Sequence, residues 1–555
     1  MNILGINQVQ GMFAWFHDSA AALVKDGVLI ASAEEERFNK IRHTKGYPYQ
    51  AIDYCLKAGN IEKKDIDVIA IAHDPFQFLK TKPAGLNPRS LFRKIGNIGV
   101  FFVFKKFARR EFPKAKIVYV AHHLGHAASA YRCSGFKEAN ILTIDGSGET
   151  ETFTFFTGRD GVIKKIWDIK FDDIFGTEKK NSIGFIYSHV TNLLNLGFKA
   201  EGKTMGLASY GEPKYDFSTI LNIKTHDDFA ISRDEVDRLY GHLRRKSGKD
   251  PLTQEHKDLA ASLQQALENS ILNLAKEAHD FSGIKNFCLA GGVALNCNTN
   301  SKILGADFCD QIFVQPAAND GGIALGAALE AASTLEKPVN FAMEHAYWGP
   351  SFSNEEIEKF LKETKVGYEF HENIESVTAD YLAQGKIIGW FQGGMELGPR
   401  ALCNRSILVD PSVPGMNDVV NMAVKHRESW RPFAPVVIEE DVGKYFDESA
   451  KSPFMLLTFF VKPEKRSLLP AITHIDGSSR IQTINEHQNP RCYKLLKEFE
   501  KRKGFSVLMN TSFNDKDEPI VATPKDAIST LVRSGLKHLV VGNYYFRKKI
   551  NSLSS

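Results

Sequence analysis

Residues 140–145 read "NILTID", and residues 2–7 read "NILGIN". Each is an apolar run of strand length that ends in Asp or Asn. The segments after the two runs are alike too. After the first copy a polar, small-residue loop leads to "AAALVK" (20–25) and "VLIASAEE" (28–35) around Asp26-Gly27. After the second, "TETFTFFTG" (150–158) and "VIKKIWDI" (162–169) flank Asp160-Gly161. Asp-Gly between strand-like runs favours a type I′ turn, because both positions tolerate φ > 0. Two β-β-β units 138 positions apart predict a duplicated α/β domain, each half opening on a hairpin able to wrap a phosphate.

A third element supports a nucleotide site. "NFCLAGGVALNCNTN" (286–300) is a short apolar strand, then Gly291-Gly292, then a predicted helix. Glycines there let backbone N–H groups approach an anion at a helix N-terminus. Two hairpins and a strand-Gly-Gly-helix in this order resemble the acetate kinase/sugar kinase/actin superfamily, in which ATP sits between duplicated halves. Gly146, Ser147, Gly148, Gly291, Gly292 and Asn296 are the nucleotide candidates. "GFKAEGKT" (197–204) also fits the P-loop pattern G-x-x-x-x-G-K-[ST]. A P-loop needs a buried strand just before it, whereas "IGFIYSHVTNLLNLGF" (183–198) has the spacing of a helical face. The match is therefore read as coincidence, with Lys203 kept as a residue that could face the nucleotide.

The 555 residues predict roughly two to four domains. With 25% charged and 43% hydrophobic residues the chain has ordinary globular composition. A net charge of +4 argues against a dedicated nucleic-acid binder. Seven scattered cysteines without a C-x-x-C pair read as reduced thiols of a cytoplasmic protein. "MNILGINQ" offers no secretory signal, and no apolar run reaches spanning length. One basic, apolar stretch, "RSLFRKIGNIGVFFVFKKFARREF" (89–112), could lie on a membrane surface or hold an anionic partner. The competing reading is a helix with one buried face. Near residue 340, "EKPVNFAMEHAYWGPSFS" (336–353) loses all periodicity, which places a boundary between 1–342 and a second α/β domain, 343–555. "KIIGWFQGG" (386–394) and "FSVLMNTSFN" (505–514) read as strands of that domain running into polar loops.

Three constellations carry candidate chemistry. In "VYVAHHLGHAASAY" (118–131), His122 and His126 are spaced i, i+4, the geometry of a two-histidine clamp on one helix face. Asp145 in "TIDGSGE" and Asp320 in "PAANDGGIALGAA" could complete a site for a borderline divalent ion, Fe2+ favoured over Mn2+ or Zn2+. The alternative is helix-end histidines satisfied by backbone. Second, Arg400, Arg405, Lys425, Arg427 and Arg431 fall within 32 residues among glycines and prolines, and Arg480 and Asn510-Thr511-Ser512 come later. Turn-borne arginines suit a small phosphate or carboxylate ligand; the alternative is ion pairs with Glu396, Glu428 and Glu439. Third, His17 in "FHDSAAALV" sits in the first hairpin loop, where it could take a proton from an acceptor hydroxyl. "AEEERFNKIRH" (33–43) reads as strand-end polarity.

"HDSAAALV", "AEEERF", "HHLGHAASA", "DGSGE", "EGKTMGLASYG", "GGVALNC", "GPRAL", "NRSI", "WRPFAP" and "NTSFN" together resemble the NodU/CmcH O-carbamoyltransferase family, in order and over essentially the whole chain. The resemblance implies an actin-like N-terminal domain, similar to the transferase of tRNA threonylcarbamoylation, and a YrdC-like C-terminal domain. Carbamoyl phosphate and ATP (with Mg2+) would form a carbamoyl-adenylate in the second domain. The intermediate would pass to the first, where a hydroxyl of a sugar or small molecule takes the carbamoyl group. His122, His126, Asp145 and Asp320 would hold the metal. Arg400, Lys425, Arg431, Arg480, Asn510, Thr511 and Ser512 would bind carbamoyl phosphate and its adenylate, with His17, Arg400, Lys425 and Arg431 in catalytic roles. Members usually read GPRALG, whereas here Cys403 replaces the last glycine, which would crowd the Arg400 loop. Trp15 and Phe16 would meet a sugar face. A kinase or ATPase on the actin-like fold, a threonylcarbamoyl-type transferase and a non-catalytic sensor are the alternative readings. Homodimerisation and the acceptor's identity stay open.

Overall fold

The computed structural model describes residues 1–9, 17–77, 99, 102–170, 181–364 and 366–548. The chain divides into two units. One comprises Met1–Asn39 with His43–Met343, the other Lys40–Arg42 with Glu344–Ser555.

The repeat in the sequence becomes two sheets in the first unit. β1 (Asn2–Ile6), β2 (Ala20–Lys25), β3 (Val28–Glu34), β4 (Val68–Ile71) and β5 (Lys116–Tyr119) form a sheet of order β3-β2-β1-β4-β5. The second copy supplies β6 (Glu138–Ile144), β7 (Glu151–Arg159) and β8 (Val162–Lys170). After a two-stranded ribbon, β9 (Leu221–Ile223) and β10 (Phe229–Ile231), come β11 (Asn286–Ala290) and β12 (Gln311–Val314). Their sheet runs β8-β7-β6-β11-β12, the same path with the same sense. In each copy the first strand pairs antiparallel with the hairpin and parallel with the next strand inward. The Asp-Gly turns adopt φ of 52° and 78° at Asp26 and Gly27, and 47° and 80° at Asp160 and Gly161, as a type I′ turn requires.

β1 and β6 are apolar at consecutive positions because both of their faces are covered. The Ile323–Leu335 helix packs on β1, β2 and β4, the His122–Ser134 helix on β6, β7 and β11, and the two helices lie against each other. They meet at backbone distance, since a Cβ added to Gly326 would stand 1.8 Å from the Gly125 carbonyl oxygen. That close approach joins the segment before one helix, which carries Asp320, to the first turn of the other, which carries His122.

The second unit is built on nine strands. Edge to edge they are Glu369–Phe370, Tyr544–Arg547, His538–Val541, Ile388–Phe391, Arg405–Val409, Val507–Ser512, Ala434–Ile438, Ser478–Ile484 and Leu457–Phe460. Parallel and antiparallel pairs alternate irregularly. Both segments expected to be strands, within 386–394 and 505–514, lie in the middle of this sheet.

Ahead of Gly197 the chain forms the Ile183–Leu193 helix, and Glu201–Ala208 is helical after it. No strand feeds the P-loop-like match, and Lys203 sits half-buried on the second of these helices. Of the basic segment, residues 102–111 are helical, burying Phe104 and Ala108 while Phe102 and Val103 are exposed. Its first part and the Trp15-Phe16 pair lie outside the described residues. No helix among the described residues is long and apolar enough to cross a membrane. All seven cysteines are buried free thiols.

Candidate active site

In the first unit, His122 and His126 occupy consecutive turns of the His122–Ser134 helix and are fully buried. Their Nε2 atoms face each other at 3.1 Å. Asp145 Oδ2 lies 3.1 and 3.2 Å from them, and Asp320 Oδ1 3.6 and 3.7 Å. Two imidazole nitrogens can converge this closely only if a proton or a cation stands between them and the carboxylates. One donor atom from each of the four residues falls within 4.8 Å of all the others. Two nitrogens and two carboxylate oxygens around one point fit a borderline divalent cation. His126 Nδ1 is buried without a hydrogen-bond partner among the described residues.

The surrounding backbone fixes this group. Asp145 comes directly after β6, and its Oδ1 accepts N–H bonds from Gly146 (2.7 Å) and Gly292 (3.2 Å), which turns Oδ2 towards the histidines. Gly291, with φ 90°, passes so near β6 that a Cβ would lie 2.2 Å from the Ile144 carbonyl oxygen. The glycines read as a nucleotide loop therefore orient the Asp145 carboxylate in this structure. Glu149, wholly buried, accepts the His122 backbone N–H at 3.0 Å on each oxygen and the Asp74 N–H at 2.8 Å. It thereby caps the helix that carries the histidines, where a negative charge is favoured. Burial opposes the Glu149 charge, but bonding and attraction from His73 and His122 and the Asp74 amide hold its pKa at about 2. Burial likewise works against a charged His122, yet Asp320, Asp145 and Glu149 push its pKa up to about 9. His123, bonded to Thr143 and the Glu151 carbonyl, is pushed down to about 4 by burial and by His122.

His17 stands beside this cluster, a third exposed at most, with Nδ1 2.8 Å from Asp18 Oδ2 and 3.8 Å from Asp320 Oδ2. Asp18 in turn bonds His43 Nδ1 through Oδ1 (2.6 Å) and Asn319 through Oδ2 (2.9 Å). Its φ of 58° is an uncommon conformation for a non-glycine residue and is held by these bonds. Burial lowers the pKa of His17, but Asp320 and Asp18 outweigh it and leave the value raised.

In the second unit the cations face one another. Lys425 succeeds a π-helical turn, Val420–Val424, and its buried Nζ donates to the carbonyl oxygens of Ser512 (2.8 Å) and Asn514 (2.9 Å) and to their side-chain oxygens. Burial, then Arg427, Arg431 and Arg42, depress its pKa well below the ordinary lysine value. Burial and the charges of Arg431 and Arg480 do the same to Arg427, whose guanidinium bonds Asn421 Oδ1 and stacks on Phe433 at 4.5 Å. Arg431 makes a loose ion pair, 3.8 Å to Glu428. The other acids near the motif answer different partners: Glu396 accepts the backbone amides of Leu402, Asn404 and Arg405, and Glu439 pairs with Lys451. Lys425 is buried, Arg427, Arg431 and Arg480 are half-buried and Arg42 is exposed, and their like charges act on one another.

The family descriptions "Carbamoyltransferase N-terminus" and "Carbamoyltransferase C-terminus" match residues 8–329 and 379–548. The chain belongs to the carbamoyltransferase family. This carbamoyltransferase is 37% identical to nodulation protein NolNO of Sinorhizobium fredii over 97% of its own length and 80% of that protein. It is 26% identical to a 3'-hydroxymethylcephem-O-carbamoyltransferase of Amycolatopsis lactamdurans over 96% of its own length and 98% of that enzyme. Among solved structures, HypF of T. kodakarensis aligns with 60% of this chain and 48% of its own at 14% identity and a TM-score of 0.36, too distant to argue from.

Within the carbamoyltransferase, several residues expected at the site have other work. Arg405 is fully buried, bonds the carbonyl oxygens of Gln392, Gly393, Asn404 and Pro350, and lies 3.7 Å over Phe391. It braces the loop and presents no charge to a ligand. Asn296 caps the Cys297–Leu304 helix and exchanges two hydrogen bonds with Gln264, so its side chain is committed away from a nucleotide. Asn510 points into the sheet, bonding Gln482 and the Ala401 carbonyl. Ser512 stays in touch with Lys425, while Thr511, Arg400 and Arg480 are half-buried. "AEEERF" is more than strand-end polarity: Arg37, 2% exposed, forks onto Glu34, and Glu35 accepts the Ala51 N–H. Sequence reasoning gave no role to Asp18, His43, Arg42 or Glu149. All four lie in the quoted stretches, but nothing local said where their side chains turn.

Proposed function

We propose that this carbamoyltransferase is an ATP-dependent O-carbamoyltransferase that activates its donor in the second unit and transfers it in the first. The first unit is read as a duplicated actin/sugar-kinase-like domain, which its two sheets of one strand order support. The second is read as a YrdC-like domain. The observation that carries the proposal is the pair of opposite constellations, a cation-seeking His2Asp2 cluster and an anion-seeking cluster of a buried lysine with half-buried arginines.

In the second unit, Lys425, Arg431, Arg480 and Arg400 bind carbamoyl phosphate and the ATP phosphates, ATP arriving with Mg2+. Water and carbamoyl phosphate give carbamate and inorganic phosphate. A carbamate oxygen then bonds to the α-phosphorus of ATP as pyrophosphate leaves. The arginines neutralise charge that gathers on the phosphate oxygens. In the first unit His122, His126, Asp145 and Asp320 would hold an Fe2+-like ion, which supplies Lewis acidity towards the AMP phosphate. The acceptor's hydroxyl oxygen attacks the carbamoyl carbon and AMP leaves. His17 takes the hydroxyl proton on Nε2, because its Nδ1–H is committed to Asp18. A hydroxylated small molecule as acceptor rests on the name of the hydroxymethylcephem O-carbamoyltransferase relative, and a sugar on the family resemblance alone.

Pyrophosphate release tests the division of labour. It should require carbamoyl phosphate together with ATP, fall at least about a hundredfold in Arg431→Ala, and survive in His126→Ala. ATP going to ADP, with no pyrophosphate, would replace this reading with the kinase reading.

A further inference from the structure

"GFKAEGKT" is no P-loop, but it holds a residue whose placement the proposed mechanism does not use. Lys199 lies in the turn before the Glu201–Ala208 helix, with φ 52°. Its Nζ is buried and has no hydrogen-bond acceptor among the described residues; the face of Phe198 lies 5.6 Å away. The carboxylates whose charge reaches it are, in descending order, those of Asp18, Asp320, Glu201 and Asp145. Its own charge is felt in turn at His17. Three of those four acids therefore belong to the His17 and His122 group.

None of the four bonds it. Asp145 serves the two histidines and two glycine amides, Asp18 serves His17, His43 and Asn319, Asp320 faces His122 and His126, and Glu201 accepts the Ser188 hydroxyl at 2.5 Å. An ammonium with three donors is thus buried within reach of these carboxylates' charge and bonded to none of them. Leaving such a group dry is costly. The opposite need is equally plain: a phosphate approaching Asp18, Asp145 and Asp320 meets three negative charges, and one divalent cation does not outweigh them.

We propose that Lys199 is a catalytic residue of the transfer step, donating to the phosphate oxygens of the acyl-adenylate and of departing AMP beside the His122, His126, Asp145 and Asp320 cluster. The inference rests on the reading of that cluster as the transfer site. As the carbamoyl–oxygen bond breaks, charge gathers on the AMP phosphate, and a fixed ammonium there stabilises the leaving group without moving.

The test uses Mn2+ as the metal and AMP as the ligand, with the full chain. Paramagnetic broadening of the AMP phosphorus resonance reports AMP bound close to the metal and is blind to AMP held elsewhere; His126→Ala supplies the blank. The broadening-derived Kd should weaken about tenfold to a hundredfold in Lys199→Gln and recover in part in Lys199→Arg. Each variant should still take up Mn2+, which certifies a folded cluster. Wild-type AMP affinity in both variants, or tighter Mn2+ uptake as the sole change, would overturn the proposal and make Lys199 a mere counter-ion of the acids. If the wild type takes up Mn2+ but shows no broadening, the transfer-site reading itself falls, and Lys199's role with it.

Discussion

In the first unit each carboxylate around the histidine pair touches a partner of opposite or complementary character, whereas in the second unit Arg42, Lys425, Arg427, Arg431 and Arg480 act on one another as like charges. The histidine pair and Lys425 are buried, while the arginines around Lys425 are half-buried or exposed, so each arrangement costs stability mainly at its centre. The difference lies in what each holds. The first gathers an excess of lone pairs; the second gathers an excess of positive charge, although Lys425 already donates to Ser512 and Asn514 and Arg427 to Asn421. On the proposed function, the two units would take ligands of opposite charge.

The largest effect should come from Asp145, whose two oxygens have separate tasks. Asp145→Asn keeps an oxygen for the Gly146 and Gly292 amides but replaces the charged atom that touches both histidines. Mn2+ affinity in equilibrium dialysis should fall at least about a hundredfold, while the metal-free protein still unfolds cooperatively, at a lower Tm because the buried histidines lose a charged partner. Equal affinity would mean that the His2Asp2 group is a neutral hydrogen-bond network, and the contrast between the units would lose its first half.

Proton linkage offers a sharper comparison, because the two regions should respond to pH with opposite slopes. His122, held at about 9, must shed its proton before its nitrogen can ligate, so cation binding releases a proton. Mn2+ affinity should rise by up to about tenfold per pH unit towards pH 9 and then level. Lys425 has its pKa depressed in the free protein, and an anion favours its charged form, so binding draws a proton in. Carbamoyl phosphate affinity, measured by calorimetry above the phosphate's own ionisation near pH ~6, should fall as pH rises through the depressed lysine value. Parallel slopes would remove the comparison altogether.

How much of this was legible depends on the range over which each feature is specified. The duplicated sheets could be read because a strand, a hairpin and an Asp-Gly turn are local, and so could the His122–His126 spacing. The second unit's sheet could not. Its neighbours are joined by long-range crossovers, Arg405–Val409 lying between Ile388–Phe391 and Val507–Ser512, and no periodicity encodes that order. The misread residues share one cause. Arg405, Asn296 and Asn510 have side chains able to serve either a ligand or buried backbone and amide groups, and only the fold decides which. Arg42 is the reverse case: it joins the cationic cluster from a segment, Lys40–Arg42, that groups with the second unit despite its place in the chain.

The smallest effect expected concerns Cys403, where the family resemblance implies glycine. The residue is fully buried with φ 77°, a left-handed conformation that costs a side-chain-bearing residue ~1–2 kcal/mol. It nonetheless persists, because its N–H is held by Ser406 Oγ at 3.0 Å and its sulfur packs against Gln482 and Asn510. The substitution therefore does not evict the loop that carries Arg400; it strains it. Cys403→Gly should relieve the strain, lose some packing and gain unfolded-chain entropy, leaving the protein more stable by no more than about 1 kcal/mol in urea unfolding. Cys403→Ala separates the terms, since alanine keeps the strained φ and loses the sulfur. It should be less stable than both the wild type and the glycine variant. An alanine variant as stable as glycine would show that the loop relaxes at no cost, and that the cationic cluster alone, without a strained support, positions Arg400.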